Sequence, residues 1–104
     1  MRLKKVEREL IAFQRVCRVA TVSRKGTPHN VPVCPILDGD RMYFASAADG
    51  VKVRNIQATG KVALAFDEYT EAWSGLKGVL VWGKARIIEA GPAFRRIRKL
   101  LYQR

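Results

Sequence analysis

The sequence predicts a mainly β protein, a small antiparallel barrel with short flanking helices. Three observations carry this. Runs rich in β-branched residues recur between the turn signals Arg24-Lys25-Gly26-Thr27 and Asp38-Gly39-Asp40. Roughly five such runs fit within 104 residues, a length for one domain and not two. The helical periodicities are short and lie before, between and after the β-like runs. A closed barrel also removes exposed strand edges, which suits so much β-branched sequence.

The first element is an amphipathic helix. Leu3, Val6, Leu10 and Phe13 recur at helical steps with Ile11 beside them, and Lys4, Lys5, Glu7, Arg8 and Glu9 fill the other face. Val16 to Ser23 reads as a strand, and Gly26 in the next turn can take positive φ. His29 to Leu37 is the second strand and Arg41 to Ser46 the third, so the three make a meander. Val51 to Ala58 is a short helix with Val53, Ile56 and Gln57 facing one way, stopped at Thr59-Gly60. Val62 to Phe66 is a fourth strand whose weak alternation predicts burial on both faces. Asp67 to Gly75 is a loop holding Tyr69 and Trp73. Leu76 to Glu89 is a long strand, with Val79, Val81, Gly83, Ala85 and Ile87 on one face and Leu80, Trp82, Lys84, Arg86 and Ile88 on the other. Ala90-Gly91-Pro92 opens a last helix, proline suiting its first turn. Phe94, Ile97, Leu100 and Leu101 form its apolar stripe, and Arg95, Arg96, Arg98 and Lys99 its polar face.

Composition narrows the function classes. The formal net charge is +11, which favours an anionic partner: nucleic acid, a membrane surface or a phosphorylated small molecule. A merely solvated basic surface gives the same number. No apolar run approaches the roughly 18 residues that span a bilayer. The N-terminal charges are not followed by an apolar signal region. Cys17 and Cys34 have no metal-like spacing and no disulfide framework around them. The reading is a cytoplasmic protein with reduced thiols, both cysteines acting as small apolar fillers.

Three places could carry chemistry. Pro28, Pro32 and Pro35 fall in one hydrophobic strand. Proline cannot donate to a ladder, so such a strand is either a protected edge or one whose backbone turns toward a flat ligand. Ser46, Lys52 and Arg54 surround the start of a short helix, where a hydroxyl, free amides and a lysine make a phosphate site. An ordinary capped helix with an exposed basic residue shows the same pattern. Trp73 lies in a Gly- and Ser-containing loop, where a ligand or subunit contact competes with simple exposure, whereas Trp82 in its strand is favoured for the core. His29 is the single histidine, without a carboxylate or cysteine at matched spacing, and reads as a structural or surface residue. The chain shows no Gly-rich phosphate loop, paired carboxylates, nucleophile elbow or metal-ligand cluster. The catalytic residue is unknown.

Six segments taken in order resemble the pyridoxamine 5'-phosphate oxidase-like family of FMN-binding split barrels, including its deazaflavin-dependent branch. They are Arg18 to Val22, Gly26 to Val33, Asp38 to Phe44, Lys52 to Gln57, Lys61 to Phe66 and Gly78 to Ala85. The resemblance implies a small antiparallel split β-barrel with short flanking helices. It implies that the backbone of Asn30, Val31, Pro32, Val33, Cys34 and Pro35 runs beneath the flavin ring. Ser46, with Ala45 beside it, and Lys52 would meet the phosphate. The site would lie at a homodimer interface, with Trp73 from the partner's Tyr69 to Gly78 loop completing it. The oxidase proper carries an arginine where Val51 stands and a glutamine where Gly78 stands, so the resemblance reaches the family and not that reaction.

The function expected is an FMN-binding oxidoreductase acting on a small-molecule substrate or electron donor. Residues 1–104 would be one domain without the family's C-terminal extension. Alternatives are an F420-dependent reductase of the same fold, a haem-type ligand, a flavin carrier without turnover, and a small basic barrel binding nucleic acid. Against nucleic acid, the aromatics are not interleaved with lysines on one strand face.

Overall fold

The structure is a computed structural model that describes residues 2–68, 73–75 and 77–103, with the side chain of Trp73 outside that set. The chain order is α1 (Lys5–Phe13), β1 (Cys17–Val22), β2 (Pro28–Val33), β3 (Ile36–Asp38), β4 (Arg41–Tyr43), α2 (Val51–Thr59), β5 (Lys61–Glu68), a single 3-10 turn (Trp73–Gly75), β6 (Lys77–Lys84) and α3 (Gly91–Tyr102). Four strands form one antiparallel sheet, β2-β1-β5-β6, and β3 pairs with β4 in a separate hairpin.

The split between these sheets falls inside the stretch expected to be one strand, His29 to Leu37. β2 pairs with β1 from Val22↔Pro28 to Cys17↔Val33, and β3 then pairs with β4, Ile36 opposite Tyr43. Cys34 and Pro35 carry the chain from one sheet to the other. Pro35 has no amide to continue the ladder and its side chain is fully buried at the change of direction. The expected meander is therefore shared between two sheets. The third strand also stops early, at Tyr43 and not at Ser46.

One face of the four-stranded sheet makes the core. Cys17, Val19 and Thr21 of β1, Val33 of β2, and Val62, Leu64 and Phe66 of β5 are buried there, joined by Ile11 of α1 and Ile56 of α2. Burying each larger side chain contributes about 1.5–3 kcal/mol. The alternation in β5 corrects the expectation of burial on both faces: Ala63 and Ala65 are only half-buried. Their register partners share the opposite, outer face: Ala20 and Arg18 on β1, Trp82 and Leu80 on β6. Trp82 is 74 % exposed, against its expected place in the core.

The helices are turned as their contacts require. α1 buries Ile11, while Val6 and Phe13 of the expected stripe are exposed. Arg8 explains the rotation: its guanidinium donates to the Gly39 carbonyl at 2.6 Å and pairs with Asp40, which fixes that side of the helix against the β3–β4 turn. The backbone amide of Lys4 donates to Glu7 Oε1 at 2.8 Å, closing the helix start. In α2 the buried residues are Val53, Asn55 and Ile56, and Gln57 is exposed. The helix ends at Gly60 with φ 69°, a left-handed cap. β6 stops at Lys84 because its partner β5 begins at Lys61, directly opposite. Beyond it, Ala85 still donates to the Gly60 carbonyl at 2.8 Å, and the expected strand to Glu89 goes no further. α3 buries Ile97 of its stripe, and Arg96 on its polar face donates to Asp38 Oδ2 at 2.5 Å. The hydrogen bond to Asp38 and that carboxylate's charge both raise the Arg96 pKa.

Candidate functional site

β2 is an edge strand, paired with β1 on one side only. Strand alternation puts Pro28, Asn30 and Pro32 on the exposed outer face and His29, Val31 and Val33 on the inner one. Two of the three prolines thus sit where the ladder tolerates them, on an edge. Val33 spends its side chain in the core, so only its backbone is available to a ligand. Cys34, expected as an apolar filler, is exposed at the change of sheet, whereas Cys17 is fully buried as expected. The difference is positional: Cys17 alternates inward on β1, and Cys34 lies in the irregular step between strands.

The hairpin relates the ring-contact and phosphate-contact candidates: Ile36 opposes Tyr43, so the chain enters the hairpin from Pro35 and leaves it at Phe44 at the same end. Ala45 and Ser46 are exposed. The chain then turns tightly, Gly50 donating its amide to the Ala47 carbonyl at 3.0 Å. A Cβ on Gly50 would stand 3.2 Å from that carbonyl oxygen and 3.8 Å from Ser46 Oγ, so the turn folds back over the serine. α2 starts at once, with no side chain capping it and no acidic residue in its first turn. Its first amides therefore have no side-chain cap, and half-buried Lys52 lies in the first turn. Asp49 is exposed beside the turn and does not cap the helix.

A hydroxyl, uncapped amides and an ammonium group are a donor set made for a phosphate oxygen. The residues present fit the phosphate of a flavin mononucleotide. Gly50, which shapes this turn, was not singled out from sequence; its signal was the missing Ser, Thr, Asp or Asn at the helix start. Trp73 and Tyr69 lie outside the described residues as far as their side chains go. His29 is half-buried, with Nδ1 buried and lacking a hydrogen-bond partner. No cluster of metal-ligating side chains exists among the described residues. A separate cleft of 540 Å³ lies between the end of α1 (Ala12, Phe13), β3 and the end of α3 (Leu100, Gln103), and shares no residue with the candidate site. None of the helices among the described residues is long and apolar enough to cross a membrane.

Comparison with known proteins places the fold and the family. No curated protein sequence matches the chain. Among solved structures, HupZ from Group A Streptococcus is 26% identical, with a TM-score of 0.81 over 99% of this chain and 80% of its own. HutZ from Vibrio cholerae, named a heme storage protein, superposes with a TM-score of 0.83 at 15% identity, over 99% of this chain and 75% of its own. An FAD-binding protein from Mesorhizobium loti has a TM-score of 0.78 at 24% identity, over 93% of this chain and 69% of its own. These likenesses identify the fold as a small antiparallel split β-barrel with short flanking helices. The family model for pyridoxamine 5'-phosphate oxidase matches residues 3–104, nearly the whole sequence. By that match and the shared barrel, the chain belongs to the pyridoxamine 5'-phosphate oxidase family.

Proposed function

We propose that the protein is an FMN-binding oxidoreductase that works as a homodimer on a small-molecule substrate or electron donor. The observation that carries this reading is the uncapped start of α2, folded over Ser46 and presenting Lys52, beside the step from β2 to β3. Bound FMN supplies hydride or electron transfer at its ring. The chain's own residues bind and orient. Lys52 and Ser46 hold the phosphate, with the first amides of α2 donating to it. The backbone from Asn30 to Pro35 sets the ring's position, and Ala45 next to it presents only a methyl group. No side chain here is assigned to move a proton.

The homodimer rests on the outer sheet face. Ala20, Val22, Ala63, Ala65, Leu80 and Trp82 share that face, with Leu80 51 % and Trp82 74 % exposed. Ile11 of α1 and Ile56 of α2 join the inner-face core instead. β5 is apolar on both sides in sequence, which makes sense once a second copy covers the outer one.

The test is an absorbance spectrum of the protein purified without added cofactor, repeated after FMN is added. The expected result is the two-band flavin spectrum and saturable uptake. Lys52→Ala should then weaken FMN binding by about 1.5–3 kcal/mol, roughly tenfold or more in Kd. Unchanged affinity in that variant would remove the phosphate site. A protein that takes up no FMN, or carries a single-band haem or deazaflavin spectrum, would overturn the assignment.

A further inference from the structure

Positive charge gathers at one end of the four-stranded sheet. Lys61 and Lys84 are register partners on β5 and β6, both exposed on the outer face. Thr59 Oγ1 donates to the Val22 carbonyl at 3.1 Å, so the end of β1 and its turn, with Arg24 and Lys25, lie at the same end. Arg86 follows just beyond Lys84, and all five side chains are on exposed residues. Among the described residues the ion pairs are Lys5–Glu9, Arg8–Asp40, Arg18–Asp67 and Arg96–Asp38, so none of the five takes part in one. The described carboxylates sit elsewhere: Glu7 and Glu9 on α1, Asp38 and Asp40 on the β3–β4 hairpin, Asp49 ahead of α2, and Asp67 and Glu68 at the far end of β5. Glu89, three residues past Arg86, is the nearest along the chain.

Like charges directly opposite each other across a strand pair destabilise the sheet. Folding alone gives no reason to set lysine against lysine; a partner that brings negative charge does. We infer that this end of the sheet docks on a nucleic-acid backbone, gripping phosphates without reading bases. The site consists of strand ends and a turn, not the concave pocket a small phosphorylated ligand takes. The turn Ser23-Arg24-Lys25-Gly26-Thr27 carries no large apolar side chain to enter a lipid layer. A protein partner needs a buried anchor at its centre, which five solvated cations do not provide, whereas a phosphodiester chain needs only the charges. Trp82 belongs to the proposed subunit contact and takes no part. The inference goes beyond the flavin reading, and it requires that Lys61 and Lys84, which end the outer face beyond Ala63 and Trp82, stay uncovered in the proposed dimer.

The experiment is fluorescence anisotropy with a labelled, mixed-sequence single-stranded oligonucleotide, titrated between about 50 and 200 mM NaCl. Binding should fall with salt, the log–log slope approaching about −3.5 if all five cations release counterions from a single strand. Lys61→Ala/Lys84→Ala should weaken binding at least about tenfold and flatten the slope by about 1.4. The same variant should melt at a higher temperature, since it relieves a like-charge pair, and should keep its flavin uptake. Arg95→Ala/Lys99→Ala on α3 removes equal charge and should change affinity less than about twofold. The inference is overturned by no binding at low salt, by equal losses in the two double variants, by a lower melting temperature in the lysine variant, or by full displacement with polyglutamate at matched charge.

Discussion

Asn55 lies on the buried side of α2 because it has a partner there: its Nδ2 donates to Thr21 Oγ1 at 3.0 Å. Asn55→Leu removes the donor and leaves a hydroxyl in the core without its bond. The expected cost is about 1–3 kcal/mol, read as a lower urea midpoint at unchanged slope. Adding Thr21→Val should recover part of the loss, since both ends of the bond are then apolar. Sequence could not show this pair. Val53 and Ile56 mark the helical face correctly, yet Asn55 and Gln57 carry the same amide and only the partner 34 residues away separates them. Trp82 fails for a related reason: a tryptophan in an apolar strand reads the same whether its face lies over the core or away from it. Ser46 and Lys52 could be singled out as candidates because the start of a helix is a local feature, and Gly50 between them could not, because its role is a close approach in space.

At the level of elements, the predicted turns and helix stops were the most legible. Gly26 and Gly60 both take positive φ, as their places after a strand and after a helix require. Gly60→Ala tests the second case. An added Cβ would meet the Ala85 carbonyl oxygen at 3.6 Å, an ordinary contact, so the penalty is the backbone conformation alone. The expected loss is about 1–2 kcal/mol, seen as a lower melting temperature with the flavin spectrum unchanged. A much larger loss would show that the close approach of α2's end to β6 matters more than its φ. Strand limits were less legible. Pro35 announced a disturbance, but whether the chain bulges or changes sheet depends on β4 arriving to pair with Ile36. The end of β6 likewise depends on where β5 begins.

For the whole molecule, the sheet has one face filled by α1 and α2, and an outer face whose middle is small and apolar, with Arg18 and Asp67 toward one end and Lys61 and Lys84 at the other. A second copy on that outer face is the arrangement proposed above. Trp82→Glu, alone or with Leu80→Glu, should convert the dimer to monomer in sedimentation equilibrium while the circular dichroism of the strands persists. A variant that stays dimeric would move the subunit contact to another surface. This face was not legible in sequence: the weak alternation of β5 predicted burial on both sides, and one chain buries only one of them. The excess charge was plain in composition, but its gathering at one sheet end follows from register and from no local pattern.

The turn Asp38-Gly39-Asp40 takes Arg8 from α1 and Arg96 from α3. Two helices at opposite ends of the chain are thereby tied to one three-residue corner. The Arg96 tie is exposed and the Arg8 tie part-buried, and ion pairs near the surface are individually weak and screened by salt. The corner therefore acts as a single latch. If it opens, the first and last helices loosen as one cooperative unit, while the four-stranded sheet, held by its ladders and its core, stays closed.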